Sequence, residues 1–170
     1  MEDIMNAIDT KKELSVPGSS VTIQLVTFFI GSGEYAVDIG KVQEINRYND
    51  VTKMPNTPDY IEGIINLRGK VMPVINLAKL MGLDGSFLKD SKIMIADIRG
   101  VTTGLLVDNV SEVLRISSTL LEPPPVLSNE KSGDIVRAIA KLEDRLLMLL
   151  DLDKLMMADI PADILALEHV

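Results

Sequence analysis

Short apolar runs and alternation, rather than a helical period, dominate the hydrophobic pattern of this chain. The run VTIQLVTFFI (21–30) is β-branched and aromatic, and EYAVDI (34–39) follows it across a Gly-Ser-Gly turn, which predicts two consecutive strands. KVQEINRY (41–48) predicts a further short strand. The same order returns later as SKIMIADI (91–98), then TTGLLVD (102–108) after Arg99-Gly100, then VSEVLRI (110–116). Helical signals are brief. Asn76 before LAKLMG and Asp151 before LDKLMM are N-cap candidates, each leading a short apolar pattern.

Residues 62–82, EGIINLRGKVMPVINLAKLMG, set a single Arg-Gly pair between two apolar runs. A two-residue turn at Arg68-Gly69 places Ile65 opposite Met72 and Asn66 opposite Val71. Both faces of this hairpin are largely apolar, so one is expected to face a barrel interior and the other a neighbouring lobe. Pro73 has no N–H and requires an edge or non-hydrogen-bonded position. The segment 61–81 also aligns without a gap on 136–156 at an offset of 75, with identities Ile64/Ile139, Leu67/Leu142, Leu77/Leu152, Lys79/Lys154, Leu80/Leu155 and Met81/Met156. Asn76 falls on Asp151, and Arg68-Gly69 falls on Glu143-Asp144. Upstream, KVQEI (41–45) resembles NVSEV (109–113). Self-similarity of this kind predicts a duplicated module. Each copy supplies about five short strands, which can curl into a small barrel that hides its edges. The expected architecture is mainly β, with lobes at about 20–85 and 90–158 and the exchange of elements between them left open. An N-terminal extension (1–19), expected to be flexible, and an acidic C-terminal tail (159–170) flank it, and EPPPV (122–126) is expected to be a rigid connector.

Composition narrows the function. With 46% hydrophobic residues among 170 there is ample material for a core, and a net charge of −8 argues against a nucleic-acid partner. Five acidic residues against Lys154 place half of that excess in the last twenty positions, where solubility explains it best. No apolar run approaches the roughly 18 residues of a membrane span, so no direct membrane insertion is expected. The polar, acidic opening is unlike a secretory signal, which makes a cytoplasmic location the expectation. The chain has no cysteine, and its single histidine, His169, lies beside the C-terminus, so thiolate chemistry and a histidine-based triad are excluded. GxGxxG, GxxxxGK[ST] and HExxH are all missing. Asp38 and Asp108 end strands at equivalent places, which capping explains better than metal binding. Neither catalysis nor a cofactor is expected. Arg68 keeps two readings: a solvent-facing turn residue, as the second pair Arg99-Gly100 favours, or a preorganised fork for a partner's carboxylate or carbonyls.

The stretch DIGKVQEINRYNDVTKMPNTPDYIEGIINLRGKVMPVINLAKLMG (38–82) resembles the core of the CheW family of chemotaxis coupling proteins, whose hallmark is an N-L-R-G hairpin following a D-I-x-x-V-x-E-I strand. GLLVDNVSEVLRI (104–116) and RLLMLLDLDKLM (145–156) resemble the family's second-lobe segment and its closing hairpin. The resemblance spans about 20–158. It implies the CheW-like fold, two SH3-like five-stranded β-barrel lobes, with no catalytic activity. It also implies an adaptor that links the cytoplasmic tips of chemoreceptors (methyl-accepting chemotaxis proteins) to the regulatory domain of the histidine kinase CheA in membrane-associated arrays. By motif position, Ile39, Val42 and Glu44 match the strand implicated in receptor contact. Asn66, Arg68 and Gly69 match the N-L-R-G turn, and Asp108 and Val110 match the second-lobe segment. Ala138 departs from the family's glycine. A receptor helix would then settle in an apolar groove between the lobes, on Ile39 and Val42, with Glu44 and Arg68 fixing its register. The rival readings are a regulatory domain of a larger chemotaxis protein, of the kinase or CheV type, and a small-barrel enzyme subunit or nucleic-acid binder. The opening Met and the lack of a kinase or receiver segment speak against the former, and charge and missing catalytic groups against the latter.

Overall fold

A computed structural model of the chain describes residues 21–48, 51–83, 90–125 and 135–155. Where β-branched and apolar residues cluster, the backbone is extended. The strands are β1 (Thr22–Ile30), β2 (Gly33–Asp38), β3 (Val42–Arg47), β4 (Ile61–Leu67), β5 (Lys70–Asn76), β6 (Lys92–Ile98), β7 (Val101–Val107), β8 (Asn109–Ser117), β9 (Leu121–Glu122), β10 (Val136–Lys141) and β11 (Leu146–Leu150). Two single-turn helices, α1 (Leu77–Leu80) and α2 (Leu152–Leu155), follow the matching hairpins, and 3-10 turns occupy Ile39–Lys41 and Ser118–Leu120. The N-terminal extension and the acidic tail lie outside the described residues.

The strands form two sheets, lobe A in the order β8-β1-β2-β11-β10-β9 and lobe B in the order β3-β6-β7-β5-β4. Laid side by side the two orders match: β8 answers β3, the β1–β2 hairpin answers β6–β7, and β10–β11 answers β4–β5. Each sheet therefore takes its first hairpin from the other copy of the repeat. The expected boundary near 85–90 falls between β5 and β6, two strands of one sheet, because of this exchange. The join is parallel in both cases, with Leu149 opposite Ala36 in lobe A and Val74 opposite Gly104 in lobe B.

Local detail repeats as well. Asn76 and Asp151 cap their helices through Oδ1, which accepts from the backbone N–H of Lys79 and of Lys154, both at 3.2 Å. Their own N–H groups donate to Tyr60 and Ile135 carbonyls, at 2.7 and 2.8 Å, again 75 residues apart. Bulges break the hairpin register between Ile61 and Gly63 and between Val136 and Ala138. The bulge at Gly63 has φ +151° and leaves no room for a side chain, since a Cβ there would lie 2.1 Å from the Thr52 carbonyl oxygen. Ala138 takes the equivalent place in lobe A and is buried there.

The sheets curl without closing into a continuous ladder. In lobe B the edge strand β4 meets the chain beyond β3 at the isolated Thr52–Ile64 bridge. In lobe A the short β9, reached from β8 through the 3-10 turn, pairs with β10 through Leu121 and Glu122. Ile64 spends both its N–H and its carbonyl on Thr52, so Pro73 opposite it sits in a non-hydrogen-bonded pair, as its missing donor requires. The β4–β5 register has Ile65 opposite Met72 and Asn66 opposite Val71.

Three apolar clusters hold the molecule. Leu25, Ala36, Ala140, Leu147 and Leu149 fill the inside of lobe A. Met72, Val74, Ile93, Ile95 and Leu106 fill lobe B. A third and larger cluster, including Phe28, Val37, Val42, Ile75, Met94, Leu105 and Leu152, fills the seam between the sheets. The hairpin faces that looked apolar on both sides are so because one side lines a lobe and the other lines this seam.

Candidate functional site

The Arg68-Gly69 turn has positive φ at both residues, 53° and 85°, the mirror-image turn that matches the twist of a two-residue hairpin. Glycine adopts this conformation freely, whereas arginine is unusual in it. The Asn66 Oδ1 accepts the Gly69 N–H at 2.9 Å and fixes the loop. From this platform the Arg68 guanidinium donates to Glu44 Oε2, and Asn46 donates to Glu44 Oε1 at 2.8 Å. Arg68 is 70% exposed and Glu44 only 18%. Burial pushes the Glu44 carboxyl up, but the hydrogen bonds from Arg68 and Asn46, with the Arg68 charge, outweigh it and hold the carboxyl below the ordinary range. The guanidinium is itself held above its ordinary value by the Glu44 hydrogen bond and charge.

Glu44 lies on β3, and Arg68 follows β4. These are the two outer strands of lobe B, so the ion pair spans the side that the backbone leaves open. Beside it lies a cleft of about 450 Å³, walled by Asn46, Tyr48, Ile65 and Leu67 with Ile93 among its lining.

Lobe A holds the counterpart. Glu112, which the KVQEI/NVSEV match sets on Glu44, receives a hydrogen bond from Arg145 at 2.5 Å. Arg145 also faces Asp144 at 3.2 Å and the buried Glu34 at 2.7 Å. Both glutamates sit at a bulge in their strand, after Val42 and after Val110. Sequence reading missed Glu34, Glu112 and Arg145 because the arginine lies two positions beyond the Glu143 that aligns with Arg68. The repeated glutamate was the available signal.

The other expected residues lie in the seam or at strand ends. Ile39 and Val42 are 3% and 0% exposed and Val110 is 8% exposed, all within the seam cluster. Ile39 and Val42, expected to supply apolar contact to a partner, pack here in the seam core together with Val110. Among the described residues the seam at these positions is filled by such side chains. Asp38 caps the 3-10 turn by accepting the Gly40 N–H at 2.7 Å. Asp108 accepts the Gly31 N–H at 2.6 Å and pins the β1–β2 turn. The structure thus brings Glu44, Asn66, Arg68 and Gly69 together at one surface and leaves Asp108 on the other lobe. Among the described residues no cluster of His, Cys, Asp or Glu could hold a metal ion, and no helix is long and apolar enough to cross a membrane.

This arrangement has relatives. The family description of the CheW-like domain matches residues 24–159. The chemotaxis protein CheW of Klebsiella aerogenes is 33% identical over 143 residues, covering 84% of this chain and 86% of that one. CheW of Thermotoga maritima is 34% identical over 132 residues, 78% of this chain and 86% of that protein. The crystal structure of the scaffolding protein TtCheW from Thermoanaerobacter tengcongensis superposes with a TM-score of 0.75 at 38% identity, over 82% of this chain and 95% of that chain. By family description, sequence identity and fold alike, the chain belongs to the CheW-like domain family.

Proposed function

We propose that this protein is a non-catalytic chemotaxis adaptor that couples the cytoplasmic tips of chemoreceptors to the regulatory domain of the histidine kinase CheA, at membrane-associated arrays on the cytoplasmic side. The observation that carries the reading is the Glu44–Arg68 pair. The N-L-R-G turn holds a charged, exposed guanidinium in a fixed direction, beside a cleft lined partly by Ile65 and Leu67. Such a group suits recognition by charge and register, and no reactive group accompanies it. Ile39, Val42 and Val110 serve this surface indirectly, because the seam they fill sets the angle between the lobes. Asn66 and Gly69 hold the turn itself, and Asp108 holds the β1–β2 turn of the other lobe. An interface of modest area built on such a rim favours exchange of partners over permanent binding.

The test is a pull-down with receptor-tip fragments and with the kinase regulatory domain, using wild type and Arg68→Ala. The expected outcome is capture of both partners by wild type and clear loss of one of them in the variant. Full retention of both by the variant removes the role given to Arg68.

A further inference from the structure

Lobe B carries its two Arg-Gly turns side by side. β5 and β7 are parallel neighbours with Val74 opposite Gly104, so the turns that feed them stand at the same end of the sheet. Arg68-Gly69 directly precedes β5 and Arg99-Gly100 directly precedes β7, so the two turns belong to neighbouring strands. The Lys70 Nζ–Thr102 Oγ1 hydrogen bond, 3.1 Å, keeps the strands together there.

The two turns are copies. Arg68 and Arg99 both have φ 53°, and Gly69 and Gly100 have 85° and 83°. In each, the glycine N–H donates at 2.9 Å to Oδ1 of the residue three positions earlier, Asn66 or Asp97. Asparagine or aspartate ordinarily fills the position that arginine takes twice here. Arg68 is engaged by Glu44. Arg99 is exposed, and among the described residues no ion pair engages it. Arg68 and Arg99 thus place two guanidiniums on twin turns of lobe B, on a chain of net charge −8.

We propose that the Arg68 and Arg99 turns form a two-pronged cationic rim that binds an acidic segment of the protein partner, with Arg99 a specificity-determining residue. The inference rests on the adaptor reading and names the chemistry of what is bound. Guanidinium forks match carboxylates in pairs, and two of them on the turns of neighbouring strands suit a segment carrying more than one acidic side chain. A polyanion such as nucleic acid is disfavoured, since two arginines on an acidic molecule are too few to offset its repulsion. Rim charges of this sort act through encounter rate and are screened by salt.

The experiment measures association and dissociation rates of the full chain with a soluble receptor-tip fragment and with the kinase regulatory domain, at low and high salt. The variants are Arg99→Glu, Arg99→Lys and Arg99→Gly, the last of which suits the positive φ and removes the charge without straining the turn. For the partner that Arg68→Ala weakens, Arg99→Glu is expected to lower affinity at least about tenfold, mainly in association rate, and to flatten the salt dependence. Arg99→Lys retains most of the affinity, and Arg99→Gly loses part of it. Affinity of Arg99→Glu within about twofold of wild type, while Arg68→Ala loses binding, overturns this inference and leaves the adaptor reading standing. Failure of the wild type to bind either partner overturns the adaptor reading and this inference with it.

Discussion

Glu44 and Arg68 show how a surface residue can be fixed without being buried. The carboxylate is tucked against β3 and held by Asn46, while the guanidinium stays in solvent on a turn locked by Asn66. An exposed ion pair in high dielectric contributes little to stability. Arg68→Ala is therefore expected to leave the melting temperature nearly unchanged, as circular dichroism would show, while binding falls. The Glu44 carboxyl is held below its ordinary value in the folded state, so its contribution is fully present above that value and lost as pH falls through the folded one. Partner affinity should accordingly be flat across neutral pH and decline only below the ordinary glutamate value of 4.5, a titration by fluorescence anisotropy being the check. A decline near neutrality would place another titrating group in the site. At this scale the sequence was only partly legible. The N-L-R-G motif marked Arg68, but nothing along the chain reveals that Glu44, on β3, lies within its reach, because that contact is made by the open side of the curled sheet. The burial of Ile39 and Val42 was illegible for the converse reason: alternation says which residues share a face, not whether the face is covered.

The elements themselves were easier to read, since each depends on its own residues. The hairpin register through Ile65 and Met72 and the caps Asn76 and Asp151 follow from turn and cap chemistry that acts over a few residues. Leu149 on β11 is 1% exposed and packs inside lobe A. Leu149→Ala is expected to cost about 2–5 kcal/mol in chemical denaturation, and an unchanged midpoint would mean the lobe collapses around the loss. Gly63 on β4 offers a sharper case. With the Thr52 carbonyl where a Cβ would be, Gly63→Ala must break the Thr52–Ile64 bridge and is expected to destabilise by about 1–3 kcal/mol or more. Ala138→Gly, at the equivalent bulge of lobe A, should cost far less. Equal effects at the two sites would show that the bulges are not the matched features described above.

The molecule as a whole was legible as a duplication but not in its wiring. An offset of 75 in sequence says that two copies exist, and it does not say which copy's hairpin completes which sheet. That choice is made by the seam, where Phe28 and Val37 of the first copy and Met94 and Leu105 of the second become neighbours in one core. Because each sheet borrows a hairpin from the other copy, neither lobe is a continuous piece of chain that could unfold alone. Calorimetry is expected to give one transition, with van't Hoff and calorimetric enthalpies equal. Two separated transitions would mean the lobes melt independently. This shared seam also makes the two lobes one rigid frame, on which the Arg68 rim keeps a fixed position for a partner. The adaptor role of the Arg68 surface is tested by co-sedimentation of the kinase regulatory domain with receptor-containing membranes, with this protein absent, present, or carrying Arg68→Ala. The kinase domain is expected to sediment only with the wild type, and the folded variant to fail to bring it down. Sedimentation with the variant equal to wild type, or with no adaptor at all, would contradict that role.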